Sequence, residues 1–221
     1  MKIPVVLGLC MGLATPLLAQ AETITTPLDD SNRGDGLMFD VTNLTDSIVT
    51  LDGKFASMVR SSETDVMDFR VYYKTGTHVG SETDAAAWTL LGADTVTRED
   101  DSAALVDFDV EAPLEIAPNG LIALYVTLGR EGRNLGYHNG SGVGTELAND
   151  GVLAILEGAN LDISSGAGSD FEGRLFSPRN FSGSIGYSVE VAAVPLPGGA
   201  FLLPAALGLF FMTAGKRKAR A

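Results

Sequence analysis

Residues 181–191 read Phe-Ser-Gly-Ser-Ile-Gly-Tyr-Ser-Val-Glu-Val, and this stretch decides the fold class. Successive side chains of a strand point to opposite faces of a sheet, so apolar residues recur there with a period of two. The stretch therefore predicts a strand with one buried face and one solvated face. Its alternating apolar positions are Phe181, Ile185, Tyr187, Val189 and Val191.

The same alternation recurs towards the N-terminus, at residues 67–74 and 104–110, and residues 121–128 are apolar on both faces, as in a central strand. Turn signals separate the runs, and strands at a spacing of roughly 8–15 residues are typical of a sandwich or barrel. The sequence thus predicts an all-β fold, an antiparallel β-sandwich of the jelly-roll or Ig-like kind. Six further strands are predicted at 37–44, 47–51, 54–60, 88–91, 94–98 and 152–156.

The segments between these runs are predicted as turns and loops. Turns are expected at Asp52-Gly53, at Thr75-Gly76, at residues 118–120 and at Asn139-Gly140. Residues 81–87 have room for one or two helical turns. Two glycine-rich stretches, 129–144 and 164–173, are predicted as long loops that are mobile or face a ligand.

The N-terminal segment, residues 1–21, is predicted to be a secretory signal peptide. Lys2 supplies the positive charge, residues 3–18 are the apolar core, and Ala19-Gln20-Ala21 is a small-x-small cleavage site. Cleavage after Ala21 would start the mature chain at Glu22 and requires a secretion translocon and a signal peptidase. An uncleaved membrane helix is the alternative, which the shortness of the run and its prolines disfavour.

The C-terminal segment, residues 194–221, combines a proline motif, an apolar run and a basic end. No charged residue occurs between Val194 and Gly215, a length of 22 residues, and about 20 apolar residues span a bilayer as a helix. The basic residues that follow favour a cytoplasmic C-terminus, which leaves the preceding domain outside the membrane. They are Lys216, Arg217 and Lys218.

This tail resembles the PEP-CTERM class of bacterial sorting signals. Its Val194-Pro195-Leu196-Pro197 motif is similar to the VPLPA type, although Gly198 stands where that type has alanine. The resemblance implies an exosortase substrate in a Gram-negative bacterium that is cleaved near the motif. It implies a location at the cell surface or outside the cell, or at the periplasmic face of the inner membrane if the tail is retained.

Between the two ends, residues 22–193 form one acidic domain. The whole chain carries a net charge of −13, and this domain alone holds 10 basic and all 28 acidic residues. So acidic a surface repels phosphate backbones, which argues against nucleic-acid binding. The only cysteine, Cys10, lies in the signal peptide, where its neighbour Leu9 does not fit a lipoprotein acylation motif.

The domain itself resembles a recurring β-sandwich module of large bacterial exported and surface proteins. The matching strings are residues 38–41 (Met-Phe-Asp-Val), 71–74 (Val-Tyr-Tyr-Lys), 87–92 (Ala-Trp-Thr-Leu-Leu-Gly), 116–120 (Ile-Ala-Pro-Asn-Gly) and 176–179 (Phe-Ser-Pro-Arg). The resemblance implies a structural or adhesive building block.

Candidate chemistry is sparse, so the sequence predicts no catalytic residue and no cofactor. The histidines, His78 and His138, are expected at the surface or in turns. The glycine-rich run 140–144 lacks the third glycine of a dinucleotide motif and is expected to be a surface loop. Calcium remains open because residues 29–35 and 99–101 are oxygen-rich loops, although the spacing of 29–35 does not fit an EF-hand.

Four aromatic residues, Trp88, Tyr72, Tyr73 and Tyr125, are predicted to pack in a core, and a sugar-binding platform is the alternative. Two functions remain. The first is a non-enzymatic surface or extracellular-matrix protein with structural or adhesive contacts, exopolysaccharide among them. The second is a secreted polysaccharide hydrolase whose carboxylates the sequence does not single out.

Overall fold

The described residues form a fold that consists almost entirely of β-strands, as the alternation of apolar and polar residues predicts. The computed structural model describes residues 21–60, 66–98, 102–129, 135–163 and 168–190. All strand pairs in these residues are antiparallel, which confirms the all-β prediction. The strands are β1 (Ala21–Thr25), β2 (Asn32–Gly34), β3 (Gly36–Asn43), β4 (Val49–Arg60), β5 (Val66–Thr75), β6 (Thr89–Thr97), β7 (Ala103–Asp109), β8 (Leu114–Ile116), β9 (Leu121–Thr127), β10 (Leu135–Asn139), β11 (Glu146–Asn149), β12 (Leu153–Ile163), β13 (Gly173–Phe181) and β14 (Gly183–Val189).

These strands form one sheet in the order β1-β14-β4-β10-β13-β12-β3-β9-β5-β6. Four strands attach beside this path: β11 pairs with β12, β2 with β10, and both β7 and β8 with β4. The strand that is apolar on both faces, β9, lies between β3 and β5, as expected of a central strand. A single 3₁₀ turn, Ala85–Ala87, follows the cap at Asp84 within the region predicted to be helical.

The sheet curls so that strands distant in this order pack face to face. Phe69 of β5 stacks on Phe108 of β7, with 4.0 Å between ring centroids, and Phe108 also stacks on Phe55 of β4 at 5.5 Å. Five strands separate β4 from β5 in the order of the sheet. The main core therefore fills the space between two layers, and its buried side chains come from both ends of the sheet.

A second cluster, here called the outer-face cluster, lies on the opposite side of the same central strands. Because side chains alternate, Leu124 of β9 faces the main core while Tyr125 faces away from it. The buried members of the outer-face cluster are Met38, Trp88, Ala123, Tyr125, Leu161 and Phe171. Trp88 and Phe171 belong to connecting segments, so loops cover this face.

Two predicted breaks between strands are wrong. The turn expected at Asp52-Gly53 lies inside β4, where Gly53 has φ of +85° and the pairing of β4 with β14 shifts register near Ile185. Only glycine adopts this conformation without strain, so the glycine marks a bulge rather than a chain reversal. The predicted strands 88–91 and 94–98 likewise join into β6.

The extents of several other elements also differ from the prediction. A strand, β10, lies inside the glycine-rich stretch 129–144, and β12 continues to Ile163. The stretch 181–191 is divided, because Phe181 ends β13 and β14 begins at Gly183. The predicted turns at Thr75-Gly76 and 118–120 are confirmed, with φ of +81° at Gly76 and +54° at Asn119, whereas Asn139 is the last residue of β10.

Candidate functional site

Residues of β1, β4, β6, β7 and β14 line a groove of about 630 Å³. Carboxylates and one lysine give it its charge: Glu22, Asp52, Lys54, Asp94, Asp107 and Asp109, together called the acidic groove below. Outward-facing positions supply Asp107 and Asp109, which alternate with buried residues of β7. The remaining lining residues are Ala21, Thr23, Phe55, Phe108, Ser184 and Gly186.

Backbone hydrogen bonds fix three of these carboxylates. Asp52 Oδ1 accepts from the Lys54 amide at 3.1 Å, and Asp94 Oδ2 accepts from the Asp109 amide at 2.8 Å. Asp109 Oδ1 accepts from the Glu111 amide at 2.8 Å. Each bond uses one carboxylate oxygen and leaves the other available to a cation or a hydroxyl group.

Gly186 brings Asp52 close to strand β1. A Cβ placed on Gly186 would lie 2.5 Å from Asp52 Oδ1, so only glycine leaves room for this carboxylate. Gly186 pairs with Thr23 in the β1–β14 ladder. The Asp52 carboxylate consequently lies beside the first residues of β1.

The residues predicted for export and sorting are mostly outside the described part of the chain. Ala21 is the first residue of β1 and lines the acidic groove. Ala19 lies outside the described residues. So do all members of the predicted sorting motif and basic end: Val194, Pro195, Leu196, Pro197, Lys216, Arg217 and Lys218. In the part of the chain that the structure describes, no helix has the length and apolar character needed to cross a bilayer.

The aromatic residues pack as predicted. Trp88 is 7% exposed and Tyr125 fully buried, while Tyr72 is half-buried against them in the outer-face cluster. The Trp88 indole donates to the Ser81 carbonyl at 2.8 Å, and Tyr73 packs against the main core. The arrangement leaves no flat aromatic platform among these four side chains.

Asp170 fastens one loop over the outer-face cluster. Its Oδ2 accepts from Arg70 Nη1 at 2.8 Å and from the Tyr72 hydroxyl at 2.7 Å. The Tyr125 hydroxyl donates to the Asp170 carbonyl at 2.8 Å. Burial and the neighbouring Asp170 carboxylate raise the pKa of Tyr72 to about 12, and burial also raises the pKa of Tyr125. Both phenols therefore remain protonated donors at physiological pH.

His78 holds the other loop in place, and of the two predicted locations, surface or turn, it occupies the turn: its carbonyl accepts from the Ser81 amide at 3.0 Å. It is 1% exposed, and both its amide and its Nδ1 donate to Asp40 Oδ1, at 2.9 and 2.8 Å. Burial alone would raise the pKa of Asp40, but the hydrogen bonds from His78 and Thr77 outweigh it and lower that pKa. The carboxylate is thus held ionised beneath the 76–88 segment.

The glycine-rich run 140–144 is anchored rather than free. Glu157 Oε2 accepts from the amides of Ser141 and Gly142 at 2.6 and 2.7 Å, and Asn180 donates to Oε1 at 3.3 Å. Burial would raise the pKa of Glu157, but these hydrogen bonds outweigh it and lower that pKa. Asn180 also bonds His138 Nε2 at 2.8 Å, so this histidine serves the same anchor.

The oxygen-rich stretch 29–35 is engaged in backbone contacts. Asp29 Oδ1 accepts from the Ser31 amide at 2.6 Å, and the buried Asp35 accepts from the Ile163 amide at 2.7 Å. Residues 99–101 lie outside the described part of the chain. Among the described residues, no three His, Cys, Asp or Glu side chains are grouped so as to hold a metal ion.

Sequence reasoning placed Asp107 and Asp109 on a solvated strand face but did not assemble the acidic groove. Its charged members come from four strands, β1, β4, β6 and β7. Strand β7 pairs with β4, β1 reaches β4 through β14, and β6 contacts β7 through the curl of the sheet. The one sequence pattern that pointed to the groove was the alternation within β7, which places Asp107 and Asp109 on its exposed face. The chain matches no protein-family model, and no curated protein is significantly similar to it.

Proposed function

We propose that this chain is an exported bacterial surface or extracellular-matrix protein with a structural or adhesive, non-enzymatic role. The observation that carries the proposal is the pairing of the two ends of the strand region, with Ala21 opposite Ser188 in the β1–β14 ladder. The chain enters and leaves the described sheet at one point. A domain built this way can be released by one cut at each end without losing an internal strand.

The N-terminal end fits export by a translocon and a signal peptidase. Cleavage after Ala21 leaves Glu22–Thr25 in place beside β14, and the buried side chain of Ile24 secures this strand in the main core. Thr26 adds a side-chain hydrogen bond to the Phe181 carbonyl at 2.9 Å. The mature chain would therefore begin within folded structure.

The C-terminal end supports sorting by an exosortase. The tail that resembles a PEP-CTERM signal begins at Val194, and β14 ends at Val189. A cut near Pro195 would free the domain at the cell surface or outside the cell. Without that cut, the apolar run would hold the domain at the periplasmic face of the inner membrane.

The curled sheet supports a β-sandwich of the jelly-roll or Ig-like kind, in which two layers enclose one apolar core. The stacked rings of Phe55, Phe108 and Phe69 bridge those layers. Anchored loops support a structural role, because Glu157, Asp170 and Asp40 each hold a connecting segment in place. Exopolysaccharide is the proposed extracellular contact.

Tail variants test the sorting proposal in the native host. Replacing Pro195 and Pro197 by alanine should keep the protein in the inner-membrane fraction, because the exosortase motif is lost while the apolar run is unchanged. The matched control is Pro204→Ala, inside the run, which should be sorted like the wild type. Normal surface or medium levels of the double variant would contradict exosortase sorting.

A further inference from the structure

Two arginines and one aromatic ring share a face of strand β13. Arg174 and Phe176 are two residues apart, so their side chains point to the same side of the sheet. A register shift in the β12–β13 ladder brings Arg179 to that side as well. Arg174 Cζ lies 4.6 Å and Arg179 Cζ 5.8 Å from the centre of the Phe176 ring. These three residues are called the arginine strip below.

Stacking holds the two guanidinium groups in place but uses few of their hydrogen bonds. A guanidinium has five N–H donors in its plane, and an aromatic ring occupies only its flat face. No hydrogen bond joins Arg174 to another described residue. Arg179, which also lies 5.8 Å from the Tyr137 ring centre, donates from Nη1 to the Pro178 carbonyl at 2.7 Å. Its Nε is buried without a hydrogen-bond partner among the described residues.

The positive charge of the strip has no paired carboxylate, although the domain holds 28 acidic and only 10 basic residues. Arg60 and Arg70 each form an ion pair with an aspartate. By contrast, no carboxylate oxygen of the described residues lies within 4.0 Å of a side-chain nitrogen of Arg174 or Arg179. Asp162, opposite Arg174 in the ladder, lowers the local positive charge without pairing with it.

We propose that the arginine strip binds the carboxylate groups of an anionic polysaccharide, a polymer that contains uronic acids. The site rests on the proposed function, which it deepens by giving the polysaccharide contact a location and a charge. A planar carboxylate accepts two parallel N–H bonds from one guanidinium. Two guanidinium groups beside one ring fit acidic groups that recur along a chain, and the partly exposed ring of Phe176 offers an apolar surface to the sugar between them.

Polygalacturonate is the probe, and its binding to the protein purified from its host can be measured by calorimetry. Fully methyl-esterified polygalacturonate has the same sugar chain without charged carboxylates and should not bind. Polyglutamate carries carboxylates without sugars and should bind at least about threefold more weakly, because it lacks the contact with the ring. Binding of polygalacturonate should be weakened at about 1 M salt, where the screening length is about 3 Å.

Variants of the strip locate the site. Arg174→Gln and Arg179→Gln should each weaken binding roughly three- to tenfold, because each removes a charge-assisted pair of hydrogen bonds. Arg174→Lys keeps the charge but not the planar fork, so it should weaken binding nearly as much. The matched control is Arg60→Gln, at an exposed position of β4, which should bind like the wild type. Urea titrations should show unchanged folding in the variants of Arg174, whose side chain is exposed.

Three results would overturn the proposal. Wild-type affinity in both glutamine variants, or an equal loss in Arg60→Gln, would exclude the strip as the site. Wild-type affinity in Arg174→Lys would exclude the planar fork. Equal binding of the methyl ester or of polyglutamate would exclude the ligand. Sorting is tested separately by the tail variants, so a protein that binds polygalacturonate but is sorted without its proline motif would overturn only the proposed function.

Discussion

Strand β9 has two apolar faces that are buried in different ways. On one face, Leu124 and Val126 pack in the main core, which a second layer of strands covers. On the other face, Tyr125 packs in the outer-face cluster, which two loops cover. Hydrogen bonds hold these loops in place, among them the one from the Tyr125 hydroxyl to the Asp170 carbonyl. In this molecule the strands that cover β9 do so through apolar contacts, whereas the loops that cover it are also held by two carboxylates, Asp170 and Asp40.

The largest expected effect is on the side covered by strands. Phe69→Ala removes the ring that stacks on Phe108 across the two layers and leaves a cavity that rigid strands cannot close. We expect the free energy of unfolding to fall by about 3–5 kcal/mol in urea titrations. Leu105→Ala, at an outward position of β7 that is 40% exposed, should change it by less than about 0.5 kcal/mol. Similar losses in both variants would contradict the two-layer core.

The side covered by loops should tolerate the same change better. Phe171→Ala also removes a buried ring, but its loop can settle onto Trp88 and Tyr125, so we expect a loss of about 1–3 kcal/mol. Hydrogen exchange should accelerate in residues 168–172 and leave β9 protected. Equal acceleration throughout β9 would show that the outer-face cluster is part of the main cooperative unit.

Loss of the Asp170 carboxylate should change the pKa of one phenol, that of Tyr72. In Asp170→Asn the partner of Arg70 and Tyr72 is lost, with an expected destabilisation of about 1–2 kcal/mol. The Tyr72 pKa should fall below about 12 because the carboxylate is lost, but it should stay above its ordinary value near 10 because the burial of the phenol remains. Ultraviolet titration of each chain against its Tyr72→Phe counterpart isolates this group. An unchanged Tyr72 pKa in Asp170→Asn would show that the Asp170 carboxylate does not contribute to raising it.

An effect of similar size at neutral pH, which disappears in acid, is expected at Glu157. A carboxyl group whose pKa is lowered in the folded state stabilises the protein above its unfolded pKa of about 4.3, and this is lost as pH falls through the lower folded value. Glu157→Gln should therefore cost about 1–2 kcal/mol at pH 7 and nothing in acid. Glu115→Gln, at an exposed position of β8, is the control. A pH-independent loss in Glu157→Gln would mean that packing, not charge, matters there.

The same comparison explains what could be predicted from the sequence. Alternation located β7, whose side chains face the core and solvent in turn, and an apolar run without alternation located β9, which is buried on both faces. Phe171 and Asp170 could not be assigned, since loop residues join the outer-face cluster only through the fold. Gly53 was misread because glycine signals a turn and a bulge equally, and only the pairing of β4 with β14 separates them.

The acidic groove shows the same limit for function. Asp107 and Asp109 were recognisable as outward-facing, yet their neighbours Asp52 and Asp94 come from other strands. The count of charged residues showed that the domain is acidic, but it did not show that several of its carboxylates lie in one groove that Glu22 also lines. Pairing of the first strand with the last one brings that residue there, and no local pattern encodes it.

Export of the domain and its cleavage at both ends are tested by the intact mass of the protein isolated from its own host. We expect a mass that corresponds to residues Glu22 to about Pro195, in protein found at the cell surface or in the medium. A mass that retains Lys216 to Ala221, in protein held at the inner membrane, would contradict sorting and make the tail a permanent anchor.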